Sequence, residues 1–180
     1  MEPKGKCNSE FCRGITAQCR FSLVNEKSTA DSIKQVVEIS ELPKIHNSSK
    51  PLHHQRFRIA VAACPNACTM PQIKDIGIIA NLMPTAIGLN CDGCGKCESI
   101  CREQAVTVCN GKAQLISENC VGCGQCVSLC PQKAIRSDGL KFRILAGGRM
   151  GRHPKWAKEI CVTDSSSAAA EVGRLLERFE

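Results

Sequence analysis

Apolar positions follow strand-like and helix-like spacing on both sides of a cysteine-rich stretch in the middle of the chain. Short apolar runs predict strands at residues 56–62, 74–80 and 141–145. Helical spacing of apolar residues after two good N-cap residues predicts a helix over residues 28–42, which ends before Pro43. These elements predict one discontinuous α/β host interrupted by a small insert.

The C-terminal residues predict a second helix. Serines at positions 165–167 are suitable caps. The apolar residues that follow fall on one helical face, which predicts packing against a core. They are Ala168, Val172, Leu175, Leu176 and Phe179.

The central stretch contains one cysteine pattern written twice. Cys-Asp-Gly-Cys-Gly-Lys-Cys-Glu-Ser-Ile-Cys begins at residue 91, and Cys-Val-Gly-Cys-Gly-Gln-Cys-Val-Ser-Leu-Cys-Pro begins at residue 120. The match extends beyond the cysteines, which indicates an internal duplication. The recurring pairs are Gly93 and Gly122, Gly95 and Gly124, Ser99 and Ser128, and Ala105 and Ala134.

This pattern is the ligand run of bacterial ferredoxins, in which three closely spaced thiolates bind one [4Fe–4S] cube and the fourth binds the other cube. Structural zinc sites also use Cys-x-x-Cys pairs, but zinc does not require a third and fourth cysteine at this spacing. A proline is expected after the fourth cysteine of each run. Arg102 stands at this position in the first run, whereas the second run has the expected proline, Pro131. The predicted ligand sets are Cys91, Cys94, Cys97 and Cys130 for one cluster, and Cys120, Cys123, Cys126 and Cys101 for the other.

Composition narrows the class of protein. Fifteen cysteines without an apolar leader in residues 1–13 predict a reducing, cytoplasmic location. The chain has no apolar run of about 18 residues, so a soluble protein without membrane insertion is expected. Aromatic residues make up 3% of the chain, and tyrosine is absent, which argues against a nucleic-acid groove despite the net charge of +7.

Two basic segments suggest counter-charges for bound anions. Residues 44–58 contain seven Lys, Arg and His side chains and predict either a solvated loop or a site for ligand carboxylates. Residues 147–154 interleave three glycines with Arg149, Arg152 and His153, which fits an anion site or an ordinary surface turn.

The flanks resemble the sirohaem-dependent sulfite and nitrite reductases, especially the dissimilatory and anaerobic forms that carry a ferredoxin module. The matching segments are Cys12 to Phe21, residues 58–79 and residues 143–154, and the resemblance runs over residues 10–180. It implies an α+β fold: a single reductase-type repeat with a mixed sheet and flanking helices. Residues 1–86 and 139–180 would form this host, and residues 87–138 the inserted two-cluster ferredoxin-like domain.

The resemblance also implies further cofactor sites. Cys12, Cys19, Cys64 and Cys68 would hold a third [4Fe–4S] cluster, with Cys68 bridging to the sirohaem iron. Six residues separate Cys12 from Cys19 where the family has five, so either the loop bulges or Cys12 is not a ligand. Cofactor-binding roles are implied for Arg56, Arg58 and Asn66. The candidate substrate cations are Arg149, Arg152, His153 and Lys155.

The implied activity is reduction of sulfite or nitrite, with electrons supplied by an external ferredoxin or reductase subunit. The family's full enzymes contain two repeats and this chain contains the second, so we expect a homo-oligomer, a separate partner subunit or a loss of catalysis. Two alternatives are an electron-transfer protein without substrate and a non-catalytic sirohaem-binding subunit. Of the unassigned cysteines, Cys7 fits no pattern, and Cys109 and Cys161 are expected to be buried.

Overall fold

The chain divides into two compact units. The computed structural model describes residues 8–24, 31, 34–35 and 57–178. One unit comprises Met1–Ala80 and Lys141–Glu180, and the other comprises Asn81–Leu140. The predicted insert, residues 87–138, falls wholly within the second unit.

The described elements are mostly short strands. In chain order the strands are β1 (Asn8–Phe11), β2 (Arg58–Ala62), β3 (Ile76–Asn81), β4 (Pro84–Ile87), β5 (Val106–Cys109), β6 (Lys112–Leu115), β7 (Ile135–Ser137), β8 (Lys141–Ala146) and β9 (Lys158–Asp164). The α-helices are α1 (Arg13–Thr16), α2 (Lys96–Ile100), α3 (Gln125–Leu129) and α4 (Ser165–Glu177), and short 3₁₀ turns occupy Pro71–Ile73 and Ser117–Asn119.

The first unit is built on a mixed five-stranded sheet in the order β1-β2-β3-β8-β9. The pairs β1–β2 and β2–β3 are parallel, whereas β8–β9 is antiparallel. The Gly147 N–H donates to the Asp75 carbonyl oxygen at 2.9 Å, which brings the end of β8 beside the beginning of β3. An α+β architecture with a mixed sheet, as predicted, is therefore observed.

The core of this unit lies on the central strands. Every residue of β3, the middle strand of the sheet, is buried, and Phe142 and Ile144 of β8 are fully buried. Helix α4 buries the predicted apolar stripe as far as Leu176, and Phe179 lies outside the described residues. The helix cap differs from the prediction. Asp164 caps α4 instead of the serines, since its Oδ1 accepts the N–H groups of Ser166 and Ser167 at 3.1 and 3.0 Å.

A partly buried ion pair ties β1 to the connection that precedes β3. Lys74 is 5% exposed, and its Nζ donates to both carboxylate oxygens of Glu10 at 2.7 Å. A buried ammonium group is unfavourable without a partner of opposite charge. Glu10 therefore holds the edge strand β1 in place through a contact that joins residues distant in sequence.

The second unit repeats one substructure. Helices α2 and α3 begin 29 residues apart, at Lys96 and Gln125, in keeping with the repeat of the cysteine runs. The strand that follows each helix pairs with the strand that precedes the other repeat: β5 with β6, and β7 with β4. Gln104 and Lys133, also 29 residues apart, share a positive φ of 52° and 48°. The duplication in sequence is thus a duplication in backbone conformation.

Several sequence predictions can be compared with these elements. The three predicted strands are confirmed as β2, β3 and β8, with boundaries shifted by up to two residues. The helix predicted at residues 28–42 lies almost wholly outside the described residues; Asp31, Lys34 and Gln35 are helical. Cys109 is exposed at the end of β5 and Cys161 is half-buried, so the expectation that both are buried was wrong.

Replacement of Glu10 by glutamine tests the pair between Glu10 and Lys74. Glu10→Gln leaves the Lys74 ammonium group buried beside a neutral amide, and we expect unfolding to become easier by about 1–3 kcal/mol. Glu171→Gln is the matched control, because Glu171 pairs with the exposed Arg174 on α4 and should change stability by less than about 0.5 kcal/mol. Thermal unfolding in oxygen-free buffer measures the stability of both variants. Equal losses of stability would contradict the role assigned to the pair between Glu10 and Lys74.

Candidate metal centres

The first candidate centre is a recess in the second unit lined by four cysteines. Cys91, Cys94 and Cys97 come from the first cysteine run, and Cys130 comes from the end of the second. The recess encloses about 320 Å³ of space outside protein atoms, part of it open to solvent. The four residues are the first set predicted from sequence.

The second recess in this unit has the reciprocal composition. Cys120, Cys123 and Cys126 come from the second run, and Cys101 comes from the end of the first. Each repeat therefore gives three cysteines to one recess and its fourth to the other. The structure thus brings together both predicted sets of cysteines, including the fourth cysteine that each run contributes to the other recess.

Backbone amides point at several of these sulfurs. The N–H of Ala105 donates to Cys101 Sγ and that of Ala134 donates to Cys130 Sγ, both at 3.2 Å and at equivalent positions of the two repeats. A longer contact of 3.5 Å joins the Ala113 N–H to Cys91 Sγ. Amide donors stabilise negative charge on sulfur, as the thiolate ligands of a cluster require.

Gly93 lets the first ligand loop pass close to the β5–β6 turn. Its φ is +68°, and a Cβ added there would lie 2.4 Å from the Gly111 carbonyl oxygen. Any side chain would force the loop away from the turn, because backbone atoms cannot move aside as the end of a flexible side chain can. Glycine is thus required both by conformation and by space.

Burial opposes ionisation of the thiols that line the recesses. Burial, together with repulsion from Cys123 and Cys120, raises the pKa of Cys126 to about 11. Burial is also the main cause that raises the pKa of Cys97 and of Cys120. These thiols are therefore protonated at neutral pH unless a bound cation takes the place of the proton.

The spread of the cysteines around each recess can be compared with the needs of a single ion and of a cluster. Across residues 8–24 and 57–178, no three Cys, His, Asp or Glu side chains converge closely enough to bind one metal ion. A zinc site needs four ligands at about 2.0–2.3 Å from one point. A cube of iron and sulfide instead presents separate iron atoms to separate thiolates, which fits four cysteines spread around a recess.

A third group of cysteines lies in the first unit, where β1 and β2 end. Cys12 directly follows β1, and Cys64 comes two residues after β2. The two strands are parallel neighbours, so their carboxyl ends share one edge of the sheet. Cys12 and Cys64 are 8% and 9% exposed, and the Ala63 N–H donates to Cys12 Sγ at 3.1 Å.

Cys19 and Cys68 complete this group. Burial is the main cause that raises the pKa of Cys64, and repulsion from Cys12, Cys68 and Cys19 adds to it. All four sulfurs are thus near enough to interact. Cys68 is exposed, whereas Cys12 and Cys64 are buried. Cys19 is half-buried, so Cys68 is the most accessible residue of the group.

The long spacing between Cys12 and Cys19 has a structural explanation. Helix α1 coils residues Arg13–Thr16 within it, which shortens the path between the two cysteines. Gly14 makes the tight packing possible, since a Cβ there would lie 2.7 Å from that of Ala63. The structure therefore places Cys12 near Cys64 despite the longer spacing.

The candidate substrate cations lie together on one turn. The backbone N–H groups of Arg149 and Lys155 each donate to the carbonyl oxygen of the other, at 2.9 and 3.0 Å, and Arg149 Nε donates to the His153 carbonyl oxygen. All four side chains are exposed, those of Arg152 and His153 included. Arg149 therefore also shapes the turn.

This turn and the Cys64–Cys68 loop share a hydrophobic cluster. Ala67 of the loop is buried in that cluster, and Ala157, just after the turn, packs against it. The Ala157 N–H also donates to the Gln72 carbonyl oxygen at 2.7 Å. The other members of the cluster are Ala62, Ile79 and Leu145.

The predicted cofactor-binding residues have different positions. The backbone N–H of Asn66 donates to the Cys64 sulfur and thereby opposes the rise in the pKa of Cys64. Arg58 lies at the opposite end of β2 from Cys64, where its backbone N–H donates to Asp75 Oδ2 at 2.8 Å. Arg56 lies outside the described residues. The structure thus brings Asn66, but not Arg58, to the third cysteine group.

These features define the class of the protein: an iron–sulfur protein whose cysteine groups occupy two compact units. The family of the nitrite and sulphite reductase 4Fe–4S domain matches residues 8–177. The chain belongs to this family, and the resemblance inferred from sequence is confirmed.

Individual relatives agree with that assignment. The chain is 35% identical over 75 residues to the coenzyme F420-dependent sulfite reductase of Methanocaldococcus jannaschii, a match covering 41% of this chain and 12% of the relative. It is 30% identical over 97 residues to an uncharacterized protein of the same organism, covering 46% of this chain and 35% of that protein. The matched part of the chain therefore spans about a tenth of the length of the first relative and about a third of the length of the second.

A solved structure supports the fold. Dissimilatory sulfite reductase I superposes with a TM-score of 0.53 at 16% identity, covering 93% of this chain and 43% of that one. At this identity the likeness concerns the fold. Among the described residues, no helix is long and apolar enough to cross a membrane.

Gly93→Ala tests the structure of the first recess. The added methyl group meets the Gly111 carbonyl oxygen, so we expect loss of one cluster, about four iron atoms per chain. Gly139→Ala is the control, because Gly139 has a φ of +83° but no atom within 4 Å of an added Cβ. It should cost about 1 kcal/mol and keep the iron. Iron and acid-labile sulfide analysis distinguishes the two, and full iron in Gly93→Ala would contradict the packing argument.

Proposed function

We propose that the chain is the redox core of a sulfite or nitrite reductase and holds three [4Fe–4S] clusters and a sirohaem. The observation that carries the cluster assignment is the reciprocal exchange of cysteines between the two recesses. The ligands would be the two sets lining these recesses and the group at the carboxyl edge of β1 and β2. Residues 87–138, which lie within the second compact unit, would then act as the inserted ferredoxin-like domain.

The chain's own residues fit sirohaem in two respects. Cys68 is the exposed member of a group that also contains the buried Cys12 and Cys64, so its sulfur suits a ligand shared with a haem iron. Residues 81–140 contain five acidic and five basic side chains, so the rest of the chain, with 19 Lys and Arg against 12 Asp and Glu, carries the whole net charge of +7. Such an excess suits a cofactor rich in carboxylates.

When bound, the clusters supply one-electron transfer and the sirohaem supplies the centre at which an oxyanion is reduced. The protein's contribution is to bind and orient. Backbone amides would hold negative charge on the ligating sulfurs, and the turn at residues 149–155 would offer cations and an imidazole to the oxyanion. Electrons would come from an external ferredoxin or reductase subunit, in a reducing compartment such as the cytoplasm.

One observation favours a second candidate function, electron transfer without a substrate. The proposed substrate cations are all exposed on one surface turn, whereas sites that reduce bound oxyanions are usually concave. In that case the two clusters held by cysteines of residues 91–130 would transfer electrons without a third cluster or a sirohaem. A sirohaem-binding subunit without activity is the third possibility.

The cofactor inventory of protein purified without oxygen distinguishes these functions. The proposal predicts about 13 iron atoms and one tetrapyrrole per chain, against about 8 iron atoms and no tetrapyrrole for a simple electron carrier. Bound sirohaem without sulfite-dependent or nitrite-dependent oxidation of a reduced dye would favour the third possibility. In Cys68→Ser the sirohaem absorption should disappear while the ferredoxin-type spectrum remains; Cys109→Ser, an exposed cysteine outside the groups, is the control.

Arg152→Gln tests the proposed substrate turn. Arg152 makes no hydrogen bond or ion pair to other described residues, so its loss should leave the fold intact. We expect kcat/KM for the oxyanion to fall about 10- to 100-fold, the effect of one lost charge-assisted hydrogen bond. Arg136→Gln, an exposed arginine of β7, is the control. Unchanged kinetics in Arg152→Gln would remove the turn from the substrate site.

A further inference from the structure

A buried asparagine at the start of the second unit has a side chain without a hydrogen-bond partner. Asn81 is 5% exposed, and its buried Oδ1 atom accepts no hydrogen bond. Its Nδ2 atom donates to no other described residue. Lys74, the other buried residue of this kind in the described part of the chain, is paired with Glu10. Burial of an unpaired amide is unfavourable, so a polar side chain at this position indicates a partner that the described residues do not supply.

Asn81 lies against the ligand loop of the second recess. The Leu82 N–H donates to the Gly122 carbonyl oxygen at 2.8 Å, and Leu82 forms a parallel bridge with Cys123. A Cβ added at Gly122 would lie 3.0 Å from Asn81 Cβ and 3.4 Å from Asn81 Nδ2. Gly122 stands between Cys120 and Cys123, which both line the recess. The donor end of the amide is therefore beside the backbone that carries two of the sulfurs.

The equivalent loop of the first recess has a backbone donor. The Ala113 N–H, from β6, donates to Cys91 Sγ at 3.5 Å. Ala113 is opposite Val108 in the β5–β6 pair, and both residues line the first recess. Cys91 is the first cysteine of its run and corresponds to Cys120 in the second run. The duplication would therefore give Cys120 a similar donor from β4.

A proline removes that donor from the second recess. Ser137 lies 29 residues after Val108, and its partner in the β4–β7 pair is Pro84. Pro84 thus takes the position of Ala113, and it lines the second recess as Ala113 lines the first. Proline has no backbone N–H. The hydrogen bond that Ala113 makes in the first recess therefore cannot be made from this position to Cys120.

We propose that the Asn81 side chain supplies the missing donor, with its Nδ2–H group donating to a sulfur of the [4Fe–4S] cluster in the second recess. This inference rests on the part of the proposed function that places a cluster there. Cluster sulfurs accept hydrogen bonds, so they pair with the donor end of the amide. Hydrogen bonds to charged groups are stronger than those between neutral groups, which offsets the burial of an amide whose oxygen has no partner.

The expected consequence is a higher reduction potential for the second cluster. Reduction adds negative charge to a cluster, and hydrogen bonds to its sulfurs stabilise that charge. The first cluster has the Ala113 N–H in the same role. Asn81 would therefore keep the potential of the second cluster from falling where proline has removed a backbone donor.

Replacement of Asn81 by leucine tests this role, because leucine has a similar size and cannot donate. Redox titration followed by EPR, on protein prepared without oxygen, measures each cluster. In Asn81→Leu the equilibrium constant for one-electron reduction of the second cluster should fall about ten-fold, which is about 59 mV, and that of the first should not change. A Cys94→Ala background leaves the second cluster without the first, and Cys123→Ala does the reverse. Asn119→Leu, an exposed position beside Cys120, is the control and should change neither potential.

A second measurement keeps the native side chain, in case leucine at this position prevents cluster binding. With ¹⁵N in the side-chain amides of asparagine, pulsed EPR of the reduced protein should show a nitrogen coupled to the second cluster. The coupling should persist in Cys94→Ala and in Asn119→Leu and disappear in Cys123→Ala.

Three results would overturn the role of Asn81: an unchanged potential in Asn81→Leu, a shift confined to the first cluster, or no nitrogen coupling. Failure of the proposed function looks different. Fewer than about eight iron atoms per unaltered chain would contradict the two clusters themselves, whereas full iron with an unchanged potential would contradict the hydrogen bond alone.

Discussion

The energetic cost of placing several thiolates together in a weakly polar recess is the constraint on which this structure depends. A buried sulfur in such a recess loses water and is repelled by neighbouring sulfurs. This is why the pKa of Cys126 reaches about 11. The polypeptide alone offsets only part of the cost, through amides such as those of Ala105 and Ala134. A bound iron–sulfur core would supply the missing positive charge, and folding of the loops would then be coupled to binding of the cofactor.

The structure brings together the cysteines that the sequence grouped, because the determinants of the grouping are local. Three cysteines of each recess lie within seven residues of one another, and the fourth was expected from the exchange typical of a duplicated ferredoxin run. Strand β1 was missed because Asn8-Ser9-Glu10 has no apolar pattern. Its position depends on pairing with β2 and on the ion pair between Glu10 and Lys74, which are 64 residues apart. Such long-range contacts leave no periodicity in the sequence.

Other errors have similarly specific causes. Strand β9 escaped prediction because its residues are mostly exposed, and pairing with β8 alone defines it. The cap of α4 was misplaced by one residue, since Asp164 competes with the serines and accepts two backbone N–H groups. Cys109 was expected to be buried on the grounds that cysteine is a small hydrophobe, yet it ends β5 beside the Asn110-Gly111 turn, where the chain meets solvent.

The central claim is that the two cysteine runs exchange their fourth ligands, and paired variants test it most directly. Cys101→Ala and Cys123→Ala should each remove about four iron atoms, and the double variant should also remove only about four, because both residues serve one cluster. Cys101→Ala combined with Cys94→Ala should remove about eight. If the first pair lost eight and the second lost four, each run would hold its own cluster and the account would be wrong.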